Sequence, residues 1–297
     1  MIDQIPVYIH LGLHKTASTF FQRKFYPNHP EFNYLHLRDK NTLGAFNQYV
    51  LRENDLFFKE EKAIEFFYQN LDKEKLYNEK RITLCEEQFS GFPLLDAYNR
   101  KRIFDRLHLI FPKAKYILVL RNQRDFIISM YAEYLKKGGQ ESFTNFLSVS
   151  NTHLNFSKGS YLHYYKYYDY ISSVVGINNI QILYYEDLID TPKYFFEIIL
   201  NYFEVDFDID LSILNRKENV SFSSSEYEKV RFFNRFCKTP YSPNHLLNRK
   251  KIKILNAIIP FFLEKEKYEL VVDDYINKIN FSNELLPEYN RIKKYGY

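Results

Sequence analysis

The sequence predicts an α/β fold: a mostly parallel sheet flanked by helices, continued by a helical C-terminal region. Three observations predict it. Short apolar runs rich in β-branched and aromatic residues recur at Val7 to Leu11, Tyr116 to Leu120 and Ile180 to Tyr185, and such runs read as buried strands. Each is followed by a turn and then a helical pattern, and strands that alternate with helices build parallel sheets covered on both faces. The length, 297 residues at 45% hydrophobic, suits one large α/β domain or two small ones. With no internal repeat and no long linker, the expectation is a single domain over 1–297. Its α/β core spans 1–210, and a helical extension spans 211–297.

The bulk properties exclude several classes. A net charge of +4 suits anionic ligands but falls far short of a nucleic-acid footprint. Cys85 and Cys237 are too few for a disulfide framework or a zinc site, and read as reduced thiols. Aromatic residues make up 19% of the chain, all Phe and Tyr, and carry no function by themselves. Met1-Ile2-Asp3-Gln4 lacks a basic leader and runs straight into the first strand. No apolar run approaches the roughly 20 residues of a membrane span, and Pro260 interrupts the nearest, Ala257 to Leu263. A soluble, cytoplasmic protein is expected, with peripheral membrane contact left open.

The first element carries the most chemistry. After the strand at Val7 to Leu11, Gly12 breaks the run, and His14-Lys15-Thr16-Ala17-Ser18-Thr19 leads into a helical pattern with Phe20, Phe21 and Phe25. A strand, a tight turn bearing Lys and hydroxyls, and a helix start form a phosphate cradle, because N–H groups at a helix N-terminus point at the anion. Lys15 adds a point charge, and Thr16, Ser18 and Thr19 add hydroxyls. The ATP-binding loop needs Gly, four residues, then Gly-Lys-Ser/Thr. Here only Leu13 and His14 separate Gly12 from Lys15. The stretch resembles instead the 5′-phosphosulfate loop of sulfotransferases, with Ala17 where that family usually has Gly. Because Ala disfavours positive φ, Ala17 is expected to keep φ negative.

Tyr26-Pro27-Asn28-His29-Pro30 is a turn. Phe32 to Leu37 alternates as a short strand, with His36 near its end. Residues 41–78 read as helical, with an apolar stripe of Leu56, Phe57, Ile64, Phe67 and Leu71. The strand from Arg81 ends in Glu86 and Glu87. Carboxyl ends of strands are where open α/β sheets place ligands, and a positioned Glu can take the proton of an attacking hydroxyl. Residues 100–111 form a helix with Ile103, Leu107 and Ile110 inward, and Arg100, Lys101, Arg102 and Arg106 outward.

The second informative stretch follows. Tyr116 to Leu120 is a buried strand, Arg121 ends it, Asn122 caps a helix and Asp125 sits in its first turn. Asp125 and Ser129 are four apart and share a helix face. Arg121-Asn122-Gln123-Arg124-Asp125, then Ser129-Met130-Tyr131, resembles the sulfotransferase segment that holds the 3′-phosphate of 3′-phosphoadenosine 5′-phosphosulfate (PAPS), with Gln123 in place of the usual Pro. Lys136-Lys137-Gly138-Gly139 stops the helix. Phe143 to Val149 is a short helix, and Asn151 to Gly159 reads as a loop able to act as a lid or to meet the acceptor.

Tyr161, Tyr164, Tyr165 and Tyr168 fall on one helical face, read as an aromatic core face. Ile180 to Tyr185 is a strand, and Thr191-Pro192 starts a helix whose inner face is Phe195, Ile198, Ile199 and Phe203. Asp206, Asp208 and Asp210 alternate without the Gly turn and distal Glu of a calcium loop, and read as solvated. Asn219 to Ser223 opens a last helical region. Arg249, Lys250, Lys251 and Lys253 are the one basic run, read as a solvated helix face.

The resemblance covers residues 6–205. It implies a P-loop-like sulfotransferase fold that moves a sulfuryl group from PAPS to an acceptor hydroxyl. Lys15 is implied as catalytic. His14, Lys15, Thr16, Ala17, Ser18, Thr19, Arg121 and Ser129 are implied to hold the donor, without a metal. The general base is Glu87, aligned with the family Glu, or else Glu86 or His36. The motifs stand closer to the bacterial and carbohydrate types, so a sugar hydroxyl on a surface polysaccharide or glycolipid is the expected acceptor. The competing expectation is a kinase using ATP–magnesium on a small molecule or sugar, and the missing Gly-Lys-Ser/Thr counts against it.

Overall fold

A computed structural model describes residues 6–38, 43–69, 81–148, 159–206, 214, 224–238, 272 and 275. The expectations for Leu71, for 151–158, for Asp208 and Asp210, for 219–223, for 249–253 and for 257–263 lie outside these residues.

Five parallel strands form one sheet in the order β2-β3-β1-β4-β5: β1 Val7–Gly12, β2 Phe32–Tyr34, β3 Arg81–Glu86, β4 Lys115–Leu120 and β5 Ile180–Tyr184. All six β1 residues are buried, as the continuous apolar run demands of a central strand covered on both faces. Gly12 does not break the strand but ends it, paired with Val119. The second strand is shorter than the alternation suggests, and His36 lies beyond it.

The described residues fall into two compact units. One holds the sheet, with residues up to Arg121 and again from His163, and the other holds Asn122–Leu162 and a later helix.

In the sheet unit, the helical stretch after β1 comprises α1 Ser18–Phe20, a π turn Phe21–Phe25 and α2 Tyr26–Asn28. Phe21 and Phe25 pack with Tyr8, Ile117, Val119 and Leu183 of the sheet. The same cluster takes in Phe195, Ile199 and Phe203 from the helix Pro192–Tyr202 and its cap, as the spacing in that helix predicts. Each fully buried Phe of this kind contributes about 1.5–3 kcal/mol by burial alone. On the other face, Tyr116 meets Phe104 at 5.3 Å between ring centroids.

The helical region from 41 to 78 is not one helix. Its described part is α3 Gly44–Arg52 and α4 Glu60–Gln69. The break falls at Asn54, whose Oδ1 accepts from the Leu56 N–H and offers the backbone a turn instead of a helix. Leu56 and Phe57 are therefore on the surface, 87% and 68% exposed, and of the described residues of the expected stripe only Phe67 is fully buried.

Helix α5, Arg100–Ile110, buries Ile103, Leu107 and Ile110 as expected. It also buries Arg100 and Arg106, which the pattern placed outward. The Arg106 guanidinium donates to the carbonyls of Val50 and Glu53 and to the Asp55 carboxylate. A cation that satisfies helix-end carbonyls belongs inside.

Helix α6, Gln123–Lys136, starts as read, with Asn122 Oδ1 accepting from the N–H groups of Arg124 and Asp125. It stops before Gly138 and Gly139. A Cβ on Gly139 would lie 2.2 Å from the Tyr134 ring, so only glycine fits. Beyond it, α7 covers Phe143–Phe146, shorter than expected. The Tyr face is split: Tyr161 belongs to a separate turn, while α8, Tyr164–Val175, buries Tyr164, Tyr167 and Ile171 and leaves Tyr165 exposed. Helices α9 Tyr185–Asp190, α10 Pro192–Tyr202 and α11 Ser224–Asn234 complete the described elements. No described helix is long and apolar enough to cross a membrane.

Candidate active site

The strand order decides where a ligand sits. The chain leaves β1 toward β2 on one side and leaves β4 toward β5 on the other. The crevice beyond the carboxyl ends of β1 and β4 is thus the switch point of the sheet. The loop after β1 and Arg121 after β4 meet there.

In the loop, Lys15 has φ 66° and Ala17 has φ 62°. The expectation of negative φ at Ala17 fails. A left-handed non-glycine residue costs roughly 1–2 kcal/mol, and such strain concentrates at ligand sites. Left-handed residues on both sides of Thr16 are the kind of backbone from which anion-binding nests are built. The surrounding hydrogen bonds hold the strain. The Phe20 and Phe21 N–H groups donate to the Ala17 carbonyl. Thr16 Oγ1 donates to the Leu13 carbonyl at 2.6 Å, and Ser18 Oγ to the same oxygen at 3.3 Å. Thr16 is therefore a brace of the loop as it stands, not an outward hydroxyl.

Arg121 is strapped to this loop: its Nη1 donates to the Lys15 carbonyl at 2.8 Å. Its guanidinium lies 4.7 Å over the Tyr185 ring, a cation–π contact. Its Nε is buried without a hydrogen-bond partner among the described residues. A buried guanidinium N–H left open beside an anion nest fits a phosphate group. Ser129 lies on α6 in the second unit.

The carboxylates sit on the opposite side of β1, at the end of β3. Gly12 explains how close the two parts come: a Cβ there would lie 2.9 Å from Ser18 Oγ and 3.2 Å from the Glu87 Cα. Ser90 Oγ donates to the Gly12 carbonyl and fixes the approach. Glu86 is only 1% exposed. Arg38 grips it in a two-bond fork, Nε to Oε2 at 2.8 Å and Nη2 to Oε1 at 2.7 Å. Arg38 Nη2 also donates to Glu87 Oε1 at 2.9 Å. Burial pushes the Glu87 carboxyl up, but the fields of His14, Arg38 and Lys15 outweigh it and hold the carboxyl below its ordinary value. Glu87 is thus an ionised acceptor facing the phosphate loop. Sequence reasoning missed Arg38, which no local pattern marks.

Beside this clamp is a cavity of about 190 Å³, walled by Gln22, Arg23, Tyr34, His36, Arg38 and Cys85 and reached by Thr19 of the loop. His36 stands at this wall, its ring edge-on to Tyr34 at 4.7 Å. The structure therefore groups Lys15, Thr16, Ser18 and Arg121 in one cradle, Glu87 against it, and His36 and Thr19 around the neighbouring hollow.

Comparison with known proteins identifies the family and the fold. Residues 11–209 match a model described as the sulfotransferase family. Among solved structures, a sulfotransferase from Alicyclobacillus acidocaldarius matches at 13% identity and a TM-score of 0.50, over 82% of this chain and 97% of that one. A mouse sulfotransferase complexed with PAP matches at 12% identity and a TM-score of 0.43, over 98% and 88% of the two chains. No curated protein matches the sequence. The five-stranded parallel sheet with its flanking helices is the P-loop-like sulfotransferase fold.

Proposed function

We propose, from the premise that this chain belongs to the sulfotransferase family, that it transfers a sulfuryl group from PAPS to a hydroxyl of an acceptor sugar. The family supports sulfuryl transfer and a nucleotide donor. The observation that carries the donor reading is the strap from Arg121 Nη1 to the Lys15 carbonyl beside two left-handed loop residues. It leaves the Arg121 Nε open.

In this reading Lys15 and the loop N–H groups offset charge growing on the oxygen between sulfur and the 5′-phosphate, a preorganised electrostatic role. His14 and the loop from Thr16 to Thr19 surround that phosphate. Arg121 and Ser129 take the 3′-phosphate and fix the donor's register. PAPS supplies a sulfuryl group on a phosphate that leaves readily. The acceptor oxygen bonds to sulfur as the sulfur–phosphate oxygen bond breaks, and Glu87 takes the proton that the hydroxyl loses. Glu86, buried in its fork with Arg38, is the brace of this pair; His36 is left to line the acceptor side. A surface polysaccharide or glycolipid would present such hydroxyls. We take the chain as one sulfotransferase domain, since the family match runs through both units. We place it in the cytoplasm, where the buried free thiols of Cys85 and Cys237 suit reducing conditions.

Calorimetric titration with 3′-phosphoadenosine 5′-phosphate, ADP and ATP–magnesium tests the donor. The 3′-phosphorylated nucleotide should bind at least about tenfold tighter than ADP, and both Arg121→Ala and Lys15→Ala should weaken it about tenfold or more. Preference for ATP–magnesium, or indifference to the 3′-phosphate, would return the chain to the kinase reading.

A further inference from the structure

The cavity next to the Arg38 clamp has a chemistry of its own. Thr19 belongs both to the phosphate loop and to the cavity wall, so a group held there lies beside the transferred sulfuryl. The wall follows β1 and β2 and reaches β3, on the far side of β1 from β4 and Arg121. The donor's 3′-phosphate therefore does not fill it.

Three wall residues carry donors that no described residue accepts. Arg23 is exposed and makes no hydrogen bond or ion pair among the described residues. Arg38 commits Nε and Nη2 to Glu86 and Glu87 and leaves Nη1 unused. The Tyr34 hydroxyl makes no hydrogen bond among the described residues, and burial keeps it protonated. Gln22 turns its amide N–H to the Cys85 carbonyl. Among the described residues, no carboxylate lines the hollow. The Arg38 charge is answered by Glu86 and Glu87, so Arg23 is the cation left over. Convergent N–H and O–H donors with one unanswered guanidinium match an oxyanion. At about 190 Å³ the space is smaller than the roughly 300 Å³ of a typical ligand pocket, and admits one sugar-sized unit of a longer acceptor.

We infer that this cavity holds an oxyanion of the acceptor, a carboxylate or a phosphate on the unit that is sulfated, bound by Arg23 with Tyr34 and Arg38. The inference rests on the sulfotransferase reading and narrows its acceptor to an acidic glycan or glycolipid unit. A second anion beside the donor's sulfate repels it unless a cation stands between, and Arg23 serves that need. Of the other charged groups, Arg38 lines this cavity, and the Glu86 and Glu87 carboxylates oppose its charge.

The test uses the full chain saturated with 3′-phosphoadenosine 5′-phosphate. It is titrated with methyl glucuronoside, methyl glucoside, glucose 6-phosphate and inorganic phosphate. The acidic sugars should bind about tenfold or more tighter than the neutral glucoside, and Arg23→Gln should erase that margin while nucleotide affinity stays unchanged. The glucuronoside and phosphate arms then say which oxyanion the site takes; tight inorganic phosphate alone would mean a bare anion site and would overturn an acceptor role. Equal binding of acidic and neutral sugars, no binding of any acidic probe, or an unaffected Arg23→Gln would overturn the inference and leave the donor reading standing. Failure of the nucleotide itself to bind would overturn both.

Discussion

His10 makes the fold sensitive to acid, by an amount that can be worked out. It sits in the middle of β1, 2% exposed, with Nδ1 3.1 Å from the Tyr26 hydroxyl and Nε2 without a partner among the described residues. Burial pushes its pKa down to about 3. An unfolded histidine takes its proton near about pH 6.5, so acid favours the unfolded chain, and the stability that His10 confers at neutral pH is lost as pH falls. Each pH unit below that value costs about 1.4 kcal/mol, so between about pH 7 and about pH 5 His10 alone removes about 2 kcal/mol. Burial also lowers His29, to about 4, and adds to the loss over the same range. Urea unfolding of the wild type and His10→Leu at several pH values reads this directly. The variant orphans the Tyr26 hydroxyl and starts about 1–3 kcal/mol less stable, but its acid slope should be shallower by about 2 kcal/mol over the interval. Parallel slopes for the two proteins would refute the reasoning.

Four further outcomes follow from the site. Glu87→Gln should cut sulfuryl transfer by about a hundredfold or more while nucleotide binding holds. In the wild type, the acid limb of kcat/KM should fall below the ordinary Glu range, because His14, Arg38 and Lys15 together outweigh the opposing effect of burial; an acid limb near neutrality would assign the base elsewhere. Arg38→Met should destabilise the fold by about 3 kcal/mol, since it strands the buried Glu86 carboxylate, and thermal unfolding within a degree of wild type would contradict this. Gly12→Ala should push the Glu87 backbone off the loop, lowering kcat about tenfold with smaller changes in nucleotide affinity; unchanged kcat would mean that the close approach serves folding alone.

The strands were legible because each buried one is a nearly unbroken apolar run, and the cradle because its residues are contiguous in the chain. What escaped was set by tertiary partners. Arg38 finds its carboxylates only when β2 and β3 come together, and nothing near residue 38 announces them. Arg100 and Arg106 looked solvated because amphipathic patterning counts charges as outward, whereas Arg106 finds the carbonyls of α3 inside. Ala17 was judged by its own preference, and the loop's hydrogen bonds to the Ala17 and Leu13 carbonyls override that preference. The long helix over 41–78 failed at Asn54, where side-chain bonding to the next turn beats helical periodicity.

The position of β1 also shapes how the chain comes to be folded. Of the five strands it is synthesised first, and of the inner strands it waits longest for its second neighbour, for Ile9 must wait for Leu84 on one side and Tyr116 on the other. Until β4 has been made, a six-residue apolar segment of high β propensity lacks one edge partner, the condition under which nascent chains aggregate. Parallel pairing over such separations is slow. The strand that carries the phosphate loop is therefore the one most in need of protection by a holdase during synthesis, and truncations that end before β4 leave it open to association with other chains.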